Sequence, residues 1–144
     1  MRRNKKADLL APETNATTVT ATPLSLQKFE AVLLQRQREL EQGMSRTVEQ
    51  GLRSAPEGTL DTADQAVFSY QKEMLFTQGT QHHAQLSQVR AALRRIAEGT
   101  FGLCLHCDST IGSKRLEAVP WTSFCIDCQE RMEKGEIEDK TRVA

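Results

Sequence analysis

The chain has four cysteines, and all of them lie in one short segment, as Cys104, Cys107, Cys125 and Cys128. Their spacing is C-x2-C-x17-C-x2-C. Two residues between thiolates let one tight knuckle offer both sulfurs to a single ion, and two such knuckles close a tetrahedron. Zinc fits this donor set. Four protein ligands leave no open position for water, so one zinc ion here is structural and not catalytic. Two disulfides or a redox pair are the alternatives, and a reducing compartment disfavours structural disulfides. His106 lies inside the first knuckle and has ligand chemistry, but beside four cysteines it reads as a solvent-facing spacer. Asp108 follows Cys107, at a point where many knuckles carry glycine for a positive φ. Asp tolerates that conformation better than most residues.

The rest of the composition suits long helices. Hydrophobic residues make up 38% and aromatics 5% of the 144 residues, which is lean for a globule but normal for exposed helices. Nineteen Lys+Arg balance nineteen Asp+Glu, so a whole-protein electrostatic grip on nucleic acid is not expected. Between the knuckles the basic residues are Lys114 and Arg115, too few for direct sequence-specific DNA binding. No run approaches the ~20 apolar residues that span a bilayer, which excludes a membrane role. The start, Met1-Arg2-Arg3-Asn4-Lys5-Lys6, is basic but lacks the apolar run of a secretory signal. The expected location is the cytoplasm.

Residues 1–22 are rich in Thr and Ala and read as a disordered tail. Thr22-Pro23 then opens a helix, with Thr as cap and Pro at the first helical position. Leu26, Phe29 and Leu33, then Leu40, Met44 and Val48, form its apolar stripe to about Arg53, as narrow as a coiled-coil seam. Ser54 to Thr59 contains Pro56 and Gly58 and breaks it. A second helix is expected from near Asp61 to Glu98, with Gly99 as its stop. Phe68, Leu75, Leu86, Val89, Leu93 and Ile96 make its stripe. Gly79 and His82 take seam positions between them, so its middle is weak. Residues 74–89 are Gln-rich and carry no formal charge apart from any protonation of His82 and His83. Those two histidines are adjacent and point to different faces, so they read as non-ligands.

Two long helices joined by a short breaker form an antiparallel hairpin, with arms of about 30 residues reaching roughly 45 Å. The expected fold class is mainly α: a long coiled-coil hairpin (23–98, tip 54–66) on a small four-cysteine zinc-finger base (99–130). A charged C-terminal helix from Ile126 to about Lys140 completes it, with the tail to 144. The tip leads into Leu60-Asp61-Thr62-Ala63-Asp64-Gln65-Ala66. Asp61 and Asp64 share one face of the first turn. Taken alone they read as an N-cap and a favourable charge at the positive helix end.

The segment Ile96-Ala97-Glu98-Gly99-Thr100-Phe101-Gly102-Leu103-Cys104 resembles the DksA/TraR zinc-finger family. So do Ile111-Gly112, Arg115-Leu116-Glu117-Ala118-Val119-Pro120 and Cys125-Ile126-Asp127-Cys128-Gln129. Asp61-x-x-Asp64-x-Ala66 is similar to the DxxDxA tip motif of that family. The resemblance covers roughly residues 24–140. It implies a non-enzymatic transcription regulator of the stringent-response type. Such a protein binds bacterial RNA polymerase as a monomer and inserts the hairpin tip into the secondary channel. There it modulates promoter open complexes. Asp61 and Asp64 would then act at the tip, with Ala66 packed beneath them. Family members that respond to guanosine tetraphosphate (ppGpp) carry cations at three positions that here read Val119, Gln129 and Gln88. A polyphosphate needs charge-assisted donors, so the expected ppGpp response is weak or absent. Lys114 and Arg115 remain nearby, to brace the zinc module or touch polymerase. Two other readings stand beside this one: a Gre-like transcript-cleavage factor holding Mg2+ on its tip acids, and a zinc protein that grips DNA directly.

Overall fold

A computed structural model describes residues 23–54, 58–59 and 61–138 of the chain. The expected disordered tail (1–22), the Thr22 cap, the centre of the breaker and the last residues lie outside the described residues. Helix α1 spans Pro23–Arg53 and α2 spans Thr62–Glu98. At 1.5 Å per residue they are about 46 and 55 Å long. Two short helices follow, α3 (Ser113–Ala118) and α4 (Ile126–Glu133).

Local chemistry sets the helix ends. Asp61 caps α2: its Oδ1 accepts from the Asp64 backbone N–H at 2.8 Å, with extended φ and ψ at the cap. At the other end Gly99 has φ 74. Its N–H reaches Ile96 O at 3.2 Å, and Thr100 N–H reaches Arg95 O at 2.9 Å. This paired 5→2 and 6→1 bonding is the Schellman stop that a left-handed glycine permits. The same device ends α4 early. Gly135 has φ 75, with Gly135 N–H on Met132 O and Glu136 N–H on Arg131 O, both at 2.9 Å. The C-terminal helix therefore stops at Glu133 and does not run to Lys140.

The seam between α1 and α2 is closed near the base and open toward the tip. Leu33, Leu40, Leu86, Val89 and Ala92 are buried together, with Met44, Leu93 and Ile96 against them. Gln85 and Arg90 of α2 reach across to Arg36 (3.1 Å) and Glu41 (2.9 Å) of α1. Further out the packing thins. The ring of His82 lies over Gly43, where an added Cβ would come within 2.9 Å of it, and Gly79 faces Thr47. Phe68 and Leu75 are only half-buried. Val48, expected in the stripe, is 62% exposed. Each four-residue step turns a helix about 40° past a full turn, so Leu40, Met44 and Val48 rotate progressively out, and Thr47 takes the inward position.

The zinc module docks on the base of the hairpin through both arms. Phe29 of α1 meets Phe101 at 5.4 Å between ring centres. The Arg36 guanidinium lies 5.7 Å over the Trp121 ring. From α2, the buried Arg95 donates through Nη2 to Thr122 O at 3.1 Å. Burial lowers the Arg95 pKa from its ordinary value. Phe101 touches both the hairpin core and the module core, the latter built on Ile111, Leu116 and Phe124.

Candidate metal centre and hairpin tip

The first knuckle is shaped by its own backbone. Leu103 and Thr110 form an antiparallel bridge. Asp108 N–H donates to Cys104 O at 3.0 Å, and Cys104 N–H to Ser109 O at 2.9 Å. This turn requires a left-handed residue, and Asp108 supplies it with φ 56, the one non-glycine positive φ among the described residues. The second pair is placed by a helix. Cys125 is the N-cap of α4 and Cys128 lies in its first turn. The knuckles are joined where Leu105 N–H meets Ser123 O at 3.0 Å.

The four sulfurs lie within 4.8 Å of one another. Cys107 and Cys125 Sγ are 3.7 Å apart. A tetrahedron with zinc–sulfur bonds of about 2.3 Å has edges of about 3.8 Å, so this spacing is that of ligands about one ion. The electrostatics agree. Ser109, through its hydroxyl 2.7 Å from Sγ and its backbone N–H, draws the Cys107 pKa down to about 6. Burial acts to raise Cys104, but the backbone N–H groups of Cys125, Cys107 and His106 outweigh it and hold Cys104 below its ordinary value. Burial, then the neighbouring thiols, push Cys128 up to about 12. The cluster favours some thiolates and resists gathering four negative charges, a conflict that a bound dication resolves. One structural zinc is held by Cys104, Cys107, Cys125 and Cys128.

Sequence reasoning missed the environment of this centre more than its ligands. His106 is no solvent-facing spacer: it is half-buried, and Nδ1 lies 3.7 Å from Cys128 Sγ. That position suits a donor to a metal-bound thiolate. Ser109, two residues past Cys107, was a readable signal. Helix α3 and the buried Arg95 were not anticipated. Arg115 braces the module, its Nε donating to Phe124 O at 3.0 Å, while Lys114 is exposed.

The tip aspartates are presented to solvent. Asp61, Asp64 and Ala66 are all exposed. Asp61 spends one carboxylate oxygen on the Asp64 N–H, and Asp64 stands in the first turn, next to the positive end of the helix. Ala66 is not packed beneath the aspartates. Gln88 is exposed on α2, Val119 closes α3, and Gln129 donates its amide to Glu133 at 3.0 Å. His82 and His83 join no cluster of metal-ligating groups among the described residues. No helix among them is long and apolar enough to cross a membrane.

Residues 99–134 match the prokaryotic dksA/traR C4-type zinc finger. An RNA polymerase-binding transcription factor DksA from Caulobacter vibrioides is 30% identical over 111 residues, 77% of this chain and 78% of that protein. An uncharacterized protein of Aquifex aeolicus is 35% identical over 74 residues, 51% of each chain. The solved structure of transcription factor DksA2 from Pseudomonas aeruginosa superposes with a TM-score of 0.70 at 26% identity, covering 81% of this chain and 89% of that one.

Proposed function

The chain belongs to the DksA/TraR zinc-finger family, and from that membership we propose that it is a transcription factor that binds bacterial RNA polymerase, carries its hairpin tip into the secondary channel and alters the lifetime of promoter open complexes. The observation that carries this reading is the pair Asp61 and Asp64, exposed at the far end of a hairpin about 50 Å long. A narrow rod can deliver charge into a space that a globule cannot enter. The zinc module holds the base, where Phe29, Arg36 and Arg95 tie it to both arms. The role is non-enzymatic: the carboxylates bias charge and structure at another protein's centre and break no bond themselves.

The tip and the scaffold should separate experimentally. Asp64→Asn keeps the size of the side chain and leaves the Asp61 cap in place while removing one charge. Polymerase affinity is expected to stay near that of the unchanged chain, while the effect on open-complex lifetime at a ribosomal promoter disappears. Full activity in the variant, or loss of polymerase binding, contradicts a charge-based tip. In the same assay, added ppGpp is expected to change little, because Val119, Gln129 and Gln88 provide no cation for its phosphates. Strong synergy with ppGpp contradicts that part of the reading.

A further inference from the structure

The first knuckle carries a further group with ligand chemistry, the imidazole of His106. It is half-buried, and Nδ1 lies 3.7 Å from Cys128 Sγ. Zinc bonds of about 2.3 Å to sulfur and about 2.0 Å to imidazole nitrogen, at tetrahedral angles, set a nitrogen–sulfur edge of about 3.6 Å. Toward Cys128, the ring already stands at the spacing of a fellow ligand. It is not a ligand while all four cysteines are. Its nitrogens fall outside the set of ligand atoms that lie within 4.8 Å of one another.

The surroundings say which cysteine it can replace. Cys104 and Cys128 are buried, Cys125 is half-buried and Cys107 is exposed. The His106 backbone N–H is bonded to the Cys104 sulfur, so the residue is tied to one ligand by its backbone and close to another at its ring. Taking the place of Cys128 requires the ring to travel into a buried position 3.7 Å away. Taking the place of Cys125 puts three ligands on the short stretch 104–107. Taking the place of Cys107 needs neither. It keeps two ligands from each half, Cys104-x-His106 and Cys125-x2-Cys128. The turn that shapes the knuckle survives as well, because Asp108 N–H to Cys104 O and Cys104 N–H to Ser109 O are bonds of the backbone alone. Three thiolates and one imidazole are an ordinary structural zinc set.

We propose that His106 is a reserve zinc ligand: when the exposed Cys107 thiolate leaves the ion, the His106 imidazole fills the fourth position and the module keeps its metal on three cysteines and one histidine. The departing thiolate keeps its electron pair and takes up a proton or an alkylating electrophile from solution. The ring binds as the neutral tautomer, through the Nδ1 lone pair, with its one proton on Nε2. The half-exposed position lets water carry that proton between the two nitrogens. The inference concerns the zinc centre alone and is independent of the polymerase reading.

The test is zinc affinity of the full chain, measured by competition with a chromophoric chelator. The variants are Cys107→Ala, His106→Ala, the two together, and alanine at each of the other three cysteines. Cys107→Ala is expected to keep one zinc per chain and to bind it at least about tenfold more tightly than the other cysteine variants do. His106→Ala is expected to cost at least about tenfold more beside Cys107→Ala than beside four cysteines. X-ray absorption should find four sulfurs around zinc in the unchanged chain. In Cys107→Ala it should find three sulfurs at about 2.3 Å and one nitrogen at about 2.0 Å. Equal losses at all four cysteines, including an unfolded and zinc-free Cys107→Ala, overturn the inference. So does a Cys107→Ala site whose affinity His106→Ala leaves unchanged, since water or a carboxylate then fills the position. A nitrogen bound to zinc in the unchanged chain makes His106 a standing ligand and overturns its reserve role.

Discussion

Leu33→Ala should be among the most costly apolar truncations in the hairpin, and the structure says why. Leu33 has no exposed surface and sits at the centre of the base cluster with Leu40, Leu86, Val89 and Ala92. The substitution removes three carbons, which at about 0.8 kcal/mol per buried methylene-sized group costs about 2.4 kcal/mol. The two helices are braced by Arg36–Gln85 and Arg90–Glu41 on the same stretch, so the seam collapses only in part. Residual cavity volume adds to the cost, bringing it to about 3 kcal/mol. For a chain of this size that is a fall in melting temperature of roughly 10–15 °C. Leu52→Ala is the matched control: the same chemistry at a side chain 74% exposed should change stability by less than about 0.5 kcal/mol. Urea and thermal denaturation of the zinc-loaded chain, followed by circular dichroism, measures both. Equal costs at the two sites would refute the division of the hairpin into a packed base and an open shaft.

The glycines make a second set. Gly51 and Gly79 lie within helices with room for a methyl group, nothing lying nearer than Thr47 Cγ2 at 4.0 Å from a Cβ at Gly79. Alanine at either should raise stability by up to about 1 kcal/mol. At Gly43 the new methyl meets the His82 ring at 2.9 Å, so Gly43→Ala should gain less than the other two, and adding His82→Ala should recover the difference, all read from thermal melts. Elemental analysis should find one zinc per chain, and Cys125→Ser or a chelator should release it and unfold the base, because binding energy at such a site is folding energy. Trp121, the sole tryptophan, packs against the hairpin core under Arg36, so its fluorescence should report that loss. Zinc affinity should fall as pH falls from 8 to 6, since protons compete for the thiolates. Metal titrations at several pH values check the sign.

The parts of this fold that were legible in the sequence are those set by single residues with one strong local job. Pro23, Asp61 and Gly99 mark helix ends because each answers an unsatisfied backbone group or supplies a dihedral angle the chain needs there. The four cysteines specify their centre because few other geometries use that spacing. Asp108 was legible for the same reason. What stayed hidden depends on accumulated rotation or on contacts distant in sequence. Val48 follows Leu40 and Met44 at perfect fours, yet the drift of the helix carries it outside the seam. Gly135 ended α4 with a signal as strong as Gly99, set in a run of charges without apolar periodicity to frame it. His106 turned inward because the second knuckle, some twenty residues on, brings Cys128 to meet it. Arg95 is buried where its guanidinium meets the Thr122 carbonyl, a partner that no window around Arg95 contains.

The polymerase reading turns on where the tip goes. The direct measurement is site-specific crosslinking from the hairpin end, with a photoreactive amino acid in place of the exposed Gln65, one residue past Asp64. The zinc-loaded chain is irradiated on core RNA polymerase and the adducts are mapped by mass spectrometry. Crosslinks to residues lining the secondary channel beside the active centre, lost when the channel is blocked, are the expected result. Crosslinks confined to the outer surface of polymerase, or efficient crosslinks that a blocked channel leaves unchanged, contradict insertion of the tip.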